Sequence, residues 1–304
     1  MSDNKQLNGE LIGILPVMKP KDWTSFDVVA KLRGLLHTKR IGHGGTLDPM
    51  ATGVLPVFVG KAAKCCDILP DKRKSYVAGF RLGERTDTLD TTGNILSRSD
   101  KPVPEADIKA LLPEFTGNIM QLPPMFSAVK INGKKLCDLA REGKDIERKP
   151  RPVHIESIEL AAYDETAREG VLRIDCGQGT YVRTVIDDIG GRLGTGGVMT
   201  SLTRTYSGGF SLAECCTLER IAEASAAGKA AELLLPTDSA FRIYPDTRLG
   251  EHETALYRNG VRLRPDQVTL PRETGIYRVY GSDGSFLGLG GMKDGEFVSI
   301  KNFY

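Results

Sequence analysis

The stretch Gly42-His43-Gly44-Gly45-Thr46-Leu47-Asp48-Pro49-Met50-Ala51-Thr52-Gly53 puts one carboxylate inside a glycine-rich loop. Its four glycines let the backbone take positive φ or lie close against a ligand. Pro49 pushes Asp48 out of the helical region, toward an extended conformation. The run Val54-Leu55-Pro56-Val57-Phe58-Val59 follows and is apolar enough to be a buried strand. Asp48 is thus an acid on a shaped loop, anchored by a core strand. An ionised carboxylate so placed can serve as nucleophile or general base. The same residues also fit an Asp-Pro turn in a plain connection, with no chemistry.

Other groups add to or compete with this reading. Arg33, His37, Lys39, Arg40 and His43 crowd the approach to Asp48, with no acid between Arg33 and Asp48. A positive rim beside a carboxylate suits a polyanionic substrate. Arg85-Thr86-Asp87-Thr88-Leu89-Asp90 brings two more acids, which with Asp48 would make a hydrolase or nuclease using Mg²⁺. A structural loop fits those acids better, because no histidine or third ligand lies near them in sequence. Gly177-Gln178-Gly179 before a helix hints at phosphate, but no Lys-Ser/Thr pair supports a nucleotide triphosphate site.

Elements must hold these residues in place. Gly13–Met18 is a short apolar strand ended by Lys19-Pro20. Thr24 with Asp27 has capping-box spacing and opens a helix whose apolar face is Val28, Val29, Leu32, Leu35 and Leu36. Lys74–Phe80 reads as a strand with Tyr76 and Ala78 on the face opposite Val77 and Gly79. A helix is expected over 100–117, strands at Val153–Ile155 and Val171–Cys176, and a helix carrying Val182, Val185, Ile186 and Ile189. Residues 130–151 carry eight Lys and Arg against four acids, a net +4 beside the +2 of the whole chain. Asn132-Gly133 marks a turn there. From about Asp246, the dipeptides Asn259-Gly260, Asp283-Gly284 and Asp294-Gly295 separate short apolar runs, the pattern of a small all-β module.

Composition sets the outer bounds. At 304 residues, 40% hydrophobic and 26% charged, the chain can bury a sizeable core and is expected to hold two domains. Six cysteines, two pairs of them adjacent, lack the two-residue spacing of a zinc site and read as reduced core thiols. With no apolar run of about 18 residues and a polar start, the expected location is the cytoplasm.

The segment His43–Gly53 resembles the signature of the TruB family, the tRNA pseudouridine-55 synthases. The similarity continues in order from about Gly13 to about Phe210 and is looser afterwards. The resemblance implies that Asp48 is the catalytic residue, that Arg183 in Gly179-Thr180-Tyr181-Val182-Arg183 pairs with it, and that Tyr76 stacks on the target uracil. It also implies that Tyr181 and Leu202 line the base pocket, and that His43 and Lys19 contact the substrate. An arginine cannot lose its proton, so it suits the task of keeping a carboxylate ionised. Thr203, Tyr206 and Gly209 depart from the family pattern, which usually has Arg, a basic residue and Pro there.

The expected fold is therefore α/β (α+β): a mixed, largely antiparallel sheet with flanking helices, plus a small C-terminal β-barrel resembling a PUA module. The expected domains are a flexible tip (1–10), a catalytic domain (11–245) with a basic thumb-like insert (130–151), and an RNA-binding module (246–304). The implied activity turns a uridine in the T-loop of the tRNA T-arm into pseudouridine, with no metal or organic cofactor. The protein is expected to act as a monomer with no obligate protein partner and no membrane. A noncatalytic RNA-folding module on the same fold is the second reading. The C-terminal module is expected to dock RNA without touching the chemistry.

Overall fold

The computed structural model describes residues 6–7, 10–131, 133–271 and 275–304. The expected tip, residues 1–10, lies largely outside them, as does Asn132 of the expected turn. The chain forms two compact units: Met1–Pro49 with Val54–Asp71 and Gly208–Tyr304, and Met50–Gly53 with Lys72–Ser207.

In the first unit, strand Gly13–Lys19 lies beside Thr52–Val59, and Ile41–His43 pairs antiparallel with the latter. Both longer strands are buried on both faces, which is why they read as continuous apolar runs. Alternate side chains serve two cores. Leu15, Val17, Leu55, Val57 and Val59 pack with Val28, Val29 and Leu32 of helix Ser25–Leu35. Ile12, Ile14, Val54 and Phe58 pack with Phe241, Leu289 and Phe303. The helix opens on the expected capping box: the Thr24 hydroxyl accepts the Asp27 N–H (3.0 Å) and Asp27 Oδ2 accepts the Thr24 N–H (2.8 Å).

The C-terminal residues of this unit form a four-stranded sheet in the order Asp246–Arg248, Ile276–Tyr280, Phe286–Lys293, Glu296–Asn302. Asp283-Gly284 and Asp294-Gly295 make the expected turns between its antiparallel strands. Asn259-Gly260 does not. It ends helix Glu251–Arg258, which the all-β reading missed, because Thr254 and Tyr257 are its only buried positions and too few to set a period.

The second unit is a mixed, largely antiparallel sheet, as expected. Its order is Gly117–Gln121, Arg151–Asp164, Glu169–Cys176, Lys74–Leu82, Gly197–Ser207, all antiparallel. Thr52 and Gly53 then pair in parallel with Thr203 and Arg204. Gly53 has φ +104°, and a β-carbon there would sit 2.2 Å from the Arg204 carbonyl oxygen, so only glycine fits. Helix Val182–Leu193 packs against strand Gly197–Ser207. The helix expected over 100–117 is shorter, Glu105–Leu111, and tightens into a 3₁₀ turn around Pro113.

The C-terminal sheet shares its core with the start of the chain. Phe241 is fully buried, with ring centroids 6.3 Å from Phe286 and 5.8 Å from Phe303. A chain ending at Pro245 loses Phe286, Leu289 and Phe303 from this cluster, each large core truncation costing about 2–5 kcal/mol. This shared packing ties the expected module 246–304 to the rest of its unit. Truncation is expected to abolish cooperative unfolding or lower Tm by more than about 10 °C, read by circular dichroism. An unchanged Tm in the truncated chain would contradict this shared core.

Candidate active site

Asp48 sits on a loop whose two neighbouring residues are both tied down. The Leu47 N–H donates to Ser25 Oγ at 2.9 Å, and Ser25 Oγ donates back to the Leu47 carbonyl at 3.3 Å. The Pro49 carbonyl accepts from Lys19 Nζ (3.1 Å) and from the Asp22 N–H (2.8 Å). Leu47, Ser25 and Lys19 are buried, while the Asp48 side chain is half-buried. The anchors therefore act on the backbone either side of the acid.

Lys19 was expected to contact substrate. Instead it is fully buried, and its ammonium also donates to the carbonyls of Pro20 (2.9 Å) and Trp23 (2.5 Å). An ammonium taken out of water needs such acceptors, so Lys19 braces the loop and presents no surface. His43 closes strand Ile41–His43 opposite Val57 and is half-buried. Arg33, His37, Lys39 and Arg40 are exposed in the same unit as Asp48, as a positive rim requires.

Tyr76, Leu202, Tyr181 and Arg183 lie in the second unit. Tyr76 is directly opposite Arg204 and Ala78 opposite Leu202, so these four share one face of the sheet. Tyr76 and Leu202 are buried, and Arg204 is fully buried. Arg204 was not singled out in the sequence. Its signal was a lone arginine at a strand position whose neighbours in alternation are apolar.

Arg183, 5% exposed, ties three segments together. Nη1 donates to the Thr88 carbonyl (2.9 Å), Nη2 donates to the Phe126 carbonyl (2.8 Å), and Nε lies 3.9 Å from Asp90 Oδ2. Asp90 in turn accepts from Thr88 Oγ1 (2.7 Å), Thr92 N (3.0 Å) and Thr92 Oγ1 (2.6 Å). Asp87 accepts from the Asn94 backbone and side-chain nitrogens, each at 2.9 Å. Asp87 and the Oδ1 of Asp90 accept bonds within their own loop, and Asp90 Oδ2 faces Arg183, which fits a structural loop better than a Mg²⁺ site. Among the described residues no three metal-ligating side chains converge.

The basic insert is built on a hairpin, Lys130–Ile131 with Lys134–Lys135, and a short helix, Leu136–Arg141. Leu136 and Leu139 are buried, and the Leu136 N–H donates to the Val129 carbonyl. Lys130, Lys134, Lys135, Arg141, Lys144, Lys149 and Arg151 are exposed. Arg148 differs: it is half-buried and donates to the Pro123 carbonyl at 3.1 Å, so it fastens the insert to its root.

A sequence profile described as TruB family pseudouridylate synthase (N terminal domain) matches residues 33–182, and one described as tRNA pseudouridylate synthase B C-terminal domain matches residues 183–242. The four-stranded sheet lies beyond both. A tRNA pseudouridine synthase B of Pseudomonas fluorescens (strain Pf-5) is 40% identical over 299 residues, covering 97% of this chain and 96% of the relative. One of Clostridium kluyveri is 37% identical over 292 residues, covering 96% and 99%. Among solved structures, a Cbf5-Nop10-Gar1 complex aligns with a TM-score of 0.73 at 26% identity, over 96% of this chain and 85% of that chain.

Lys74 lies two residues before Tyr76 and opposite Cys176 and Ser207. Burial, helped by the Arg204 charge, pushes its ammonium down to about 8, and burial pushes the Cys176 thiol up to about 11. A lysine that holds its proton less tightly folded than unfolded destabilises the fold below about pH 8. That cost fades as pH rises toward the ordinary lysine range. Lys74→Met is therefore expected to melt above the wild type at pH 7, with the gap closing by about pH 10. Melting curves at the two pH values check this, and a gap that widens with pH would contradict it.

Proposed function

Given that the chain belongs to the TruB family of pseudouridylate synthases, we propose that it isomerises a uridine in the T-loop of the tRNA T-arm to pseudouridine, with Asp48 as the catalytic carboxylate. Substrate and product contain the same atoms. The bond from ribose C1′ to uracil N1 breaks, the base turns, and C1′ rejoins through C5, whose proton moves to solvent while N1 gains one. No oxidant or reductant enters. The chemistry needs one ionised carboxylate and walls that retain a detached base. The uridine must first leave its stack, at a cost the RNA contacts offset.

The observation that carries the proposal is the pair of anchors around Asp48. Ser25 and Lys19 fix Leu47 and Pro49 through the backbone, in a chain about 40% identical over nearly its whole length to tRNA pseudouridine synthases B. Tyr76 is proposed to stack on the uracil, Tyr181 and Leu202 to line the base pocket, and His43 to contact the RNA. Arg183 is assigned the fixed cation of the machinery, organising Thr88, Asp90 and Phe126 around itself. Lys19 acts through the loop. The exposed lysines of the insert are proposed to grip phosphates without reading bases, and the C-terminal sheet to add a PUA-like docking surface.

Asp48→Asn keeps the shape and removes the charge. It is expected to retain its melting temperature and tRNA affinity while turnover, measured by tritium release from uridine-labelled tRNA, disappears. Arg183→Met should cut turnover far more than affinity, with little rescue by lysine, which lacks the planar fork. Multiple turnover by purified Asp48→Asn would sink the assignment.

Neutralising Lys134, Lys135 and Lys149 is expected to flatten the salt dependence of tRNA binding. Each lost phosphate contact should lower the log–log slope by about 0.7–0.9. An unchanged slope would remove the insert from the interface.

A further inference from the structure

The sheet is interrupted at one register position. Gln121, the last residue of strand Gly117–Gln121, pairs directly with Arg151, the first residue of strand Arg151–Asp164. The whole excursion 122–150, including the basic insert, therefore leaves and returns at a single neck. At that neck the Gln121 side chain turns inward and is 1% exposed. Its Oε1 accepts the Tyr181 N–H at 2.7 Å, and its Nε2 donates to the Tyr181 carbonyl at 3.1 Å. Two residues on, Arg183 donates to the carbonyl of Phe126, inside the excursion. The segment carrying Tyr181 and Arg183 is thus stitched at two points to the root of the insert.

We propose that Gln121 is a positioning residue for the base pocket: its carboxamide latches the Tyr181 backbone to the neck of the basic insert, so that pocket and insert root move as one body. This rests on the reading of Tyr181 as a pocket residue. The latch is specific in its chemistry. Only a group that both accepts and donates, at glutamine's length, satisfies the Tyr181 N–H and carbonyl together. Tyr181 is also the N-cap residue of helix Val182–Leu193, so its bond to Gln121 satisfies one of the amides that a helix start leaves without an intrahelical partner. Removing the carboxamide takes away both of its bonds to the Tyr181 backbone, whose carbonyl keeps the Val185 N–H (3.1 Å), without touching the substrate or the exposed lysines.

The test uses the full-length protein with tRNA and the variants Gln121→Met and Gln121→Glu. Gln121→Met is close in shape and lacks both hydrogen bonds. Its single-turnover rate at saturating tRNA should fall by at least about tenfold while tRNA affinity stays within about threefold. Gln121→Glu offers only acceptors when ionised, and an acceptor plus a donor when protonated. Its rate relative to wild type should therefore climb as pH falls from 8.5 to 6 at a temperature where melting curves show Gln121→Glu fully folded at every pH, which separates the latch from a change in stability. Hydrogen exchange of the Tyr181 amide reads the latch without any activity: it should be protected in the wild type and exchange faster in Gln121→Met. If that amide is lost to exchange but the single-turnover rate holds, Gln121 positions nothing. If rate and affinity fall together, the insert rather than the pocket depends on Gln121, and the proposal is again overturned. A wild type that makes no pseudouridine in tRNA would defeat the proposed function instead, and with it the pocket role of Gln121, the exchange comparison then reporting only whether the hydrogen bonds exist.

Discussion

The backbone on both sides of Asp48 is held in place, and the role proposed for this carboxylate depends on that constraint. Leu47 and Pro49 are each fixed by groups from the segment Lys19–Ser25, so the acid between them inherits a position from its neighbours. The fold follows from supplying those anchors. Strand Gly13–Lys19 must deliver Lys19 to the loop, and the capped helix must begin at Ser25 so that its first residue faces Leu47. Both are then locked by the two cores that sandwich the strand.

The second unit uses the same device. Arg183 ends on carbonyls of Thr88 and Phe126, as Lys19 ends on those of Pro20, Trp23 and Pro49. A cation removed from water must find acceptors, and backbone carbonyls come with segments attached. Each buried cation therefore works as a clamp on chain that has no regular structure of its own. The Asp90 loop repeats the pattern in the opposite sign, gathering hydroxyl and amide donors from Thr88 and Thr92. Charged residues in this protein thus fix loops where apolar packing cannot reach.

Much of this was legible in the sequence where the signal is local. The capping box at Thr24 and Asp27, the buried strand read over Val54–Val59, which begins two residues earlier at Thr52, and the alternation of Tyr76 with Val77 depend on near neighbours. The role of Lys19 was not legible. A lysine before proline looks like a solvated loop residue or a ligand contact, and only the fold brings the Pro49 carbonyl to it. Gln121 and Arg204 were hidden for the same reason: their partners lie far along the chain. The C-terminal helix was missed because turn dipeptides outvoted two buried positions, and the shared aromatic core around Phe241 cannot be seen in any window of sequence.

The placement of the charges also explains how a nearly neutral chain can be suited to a polyanion. The net charge of +2 is small because acids are spread through the chain, many of them paired at the surface or spent on loops. Exposed pairs of this kind contribute little to stability and cancel at a distance. Among the described residues, what remains is local: the exposed lysines of the insert other than Lys144, which pairs with Glu142, and Arg33, Lys39 and Arg40 leading to Asp48. Field at the surface depends on such clustering and falls within about a Debye length, roughly 8–10 Å in physiological salt. Arg148 shows the limit of reading charge from sequence alone. It counts toward the basic insert, yet its guanidinium is turned back onto Pro123 and holds the insert to its root. The same residue type therefore does two jobs within one segment, and burial decides which.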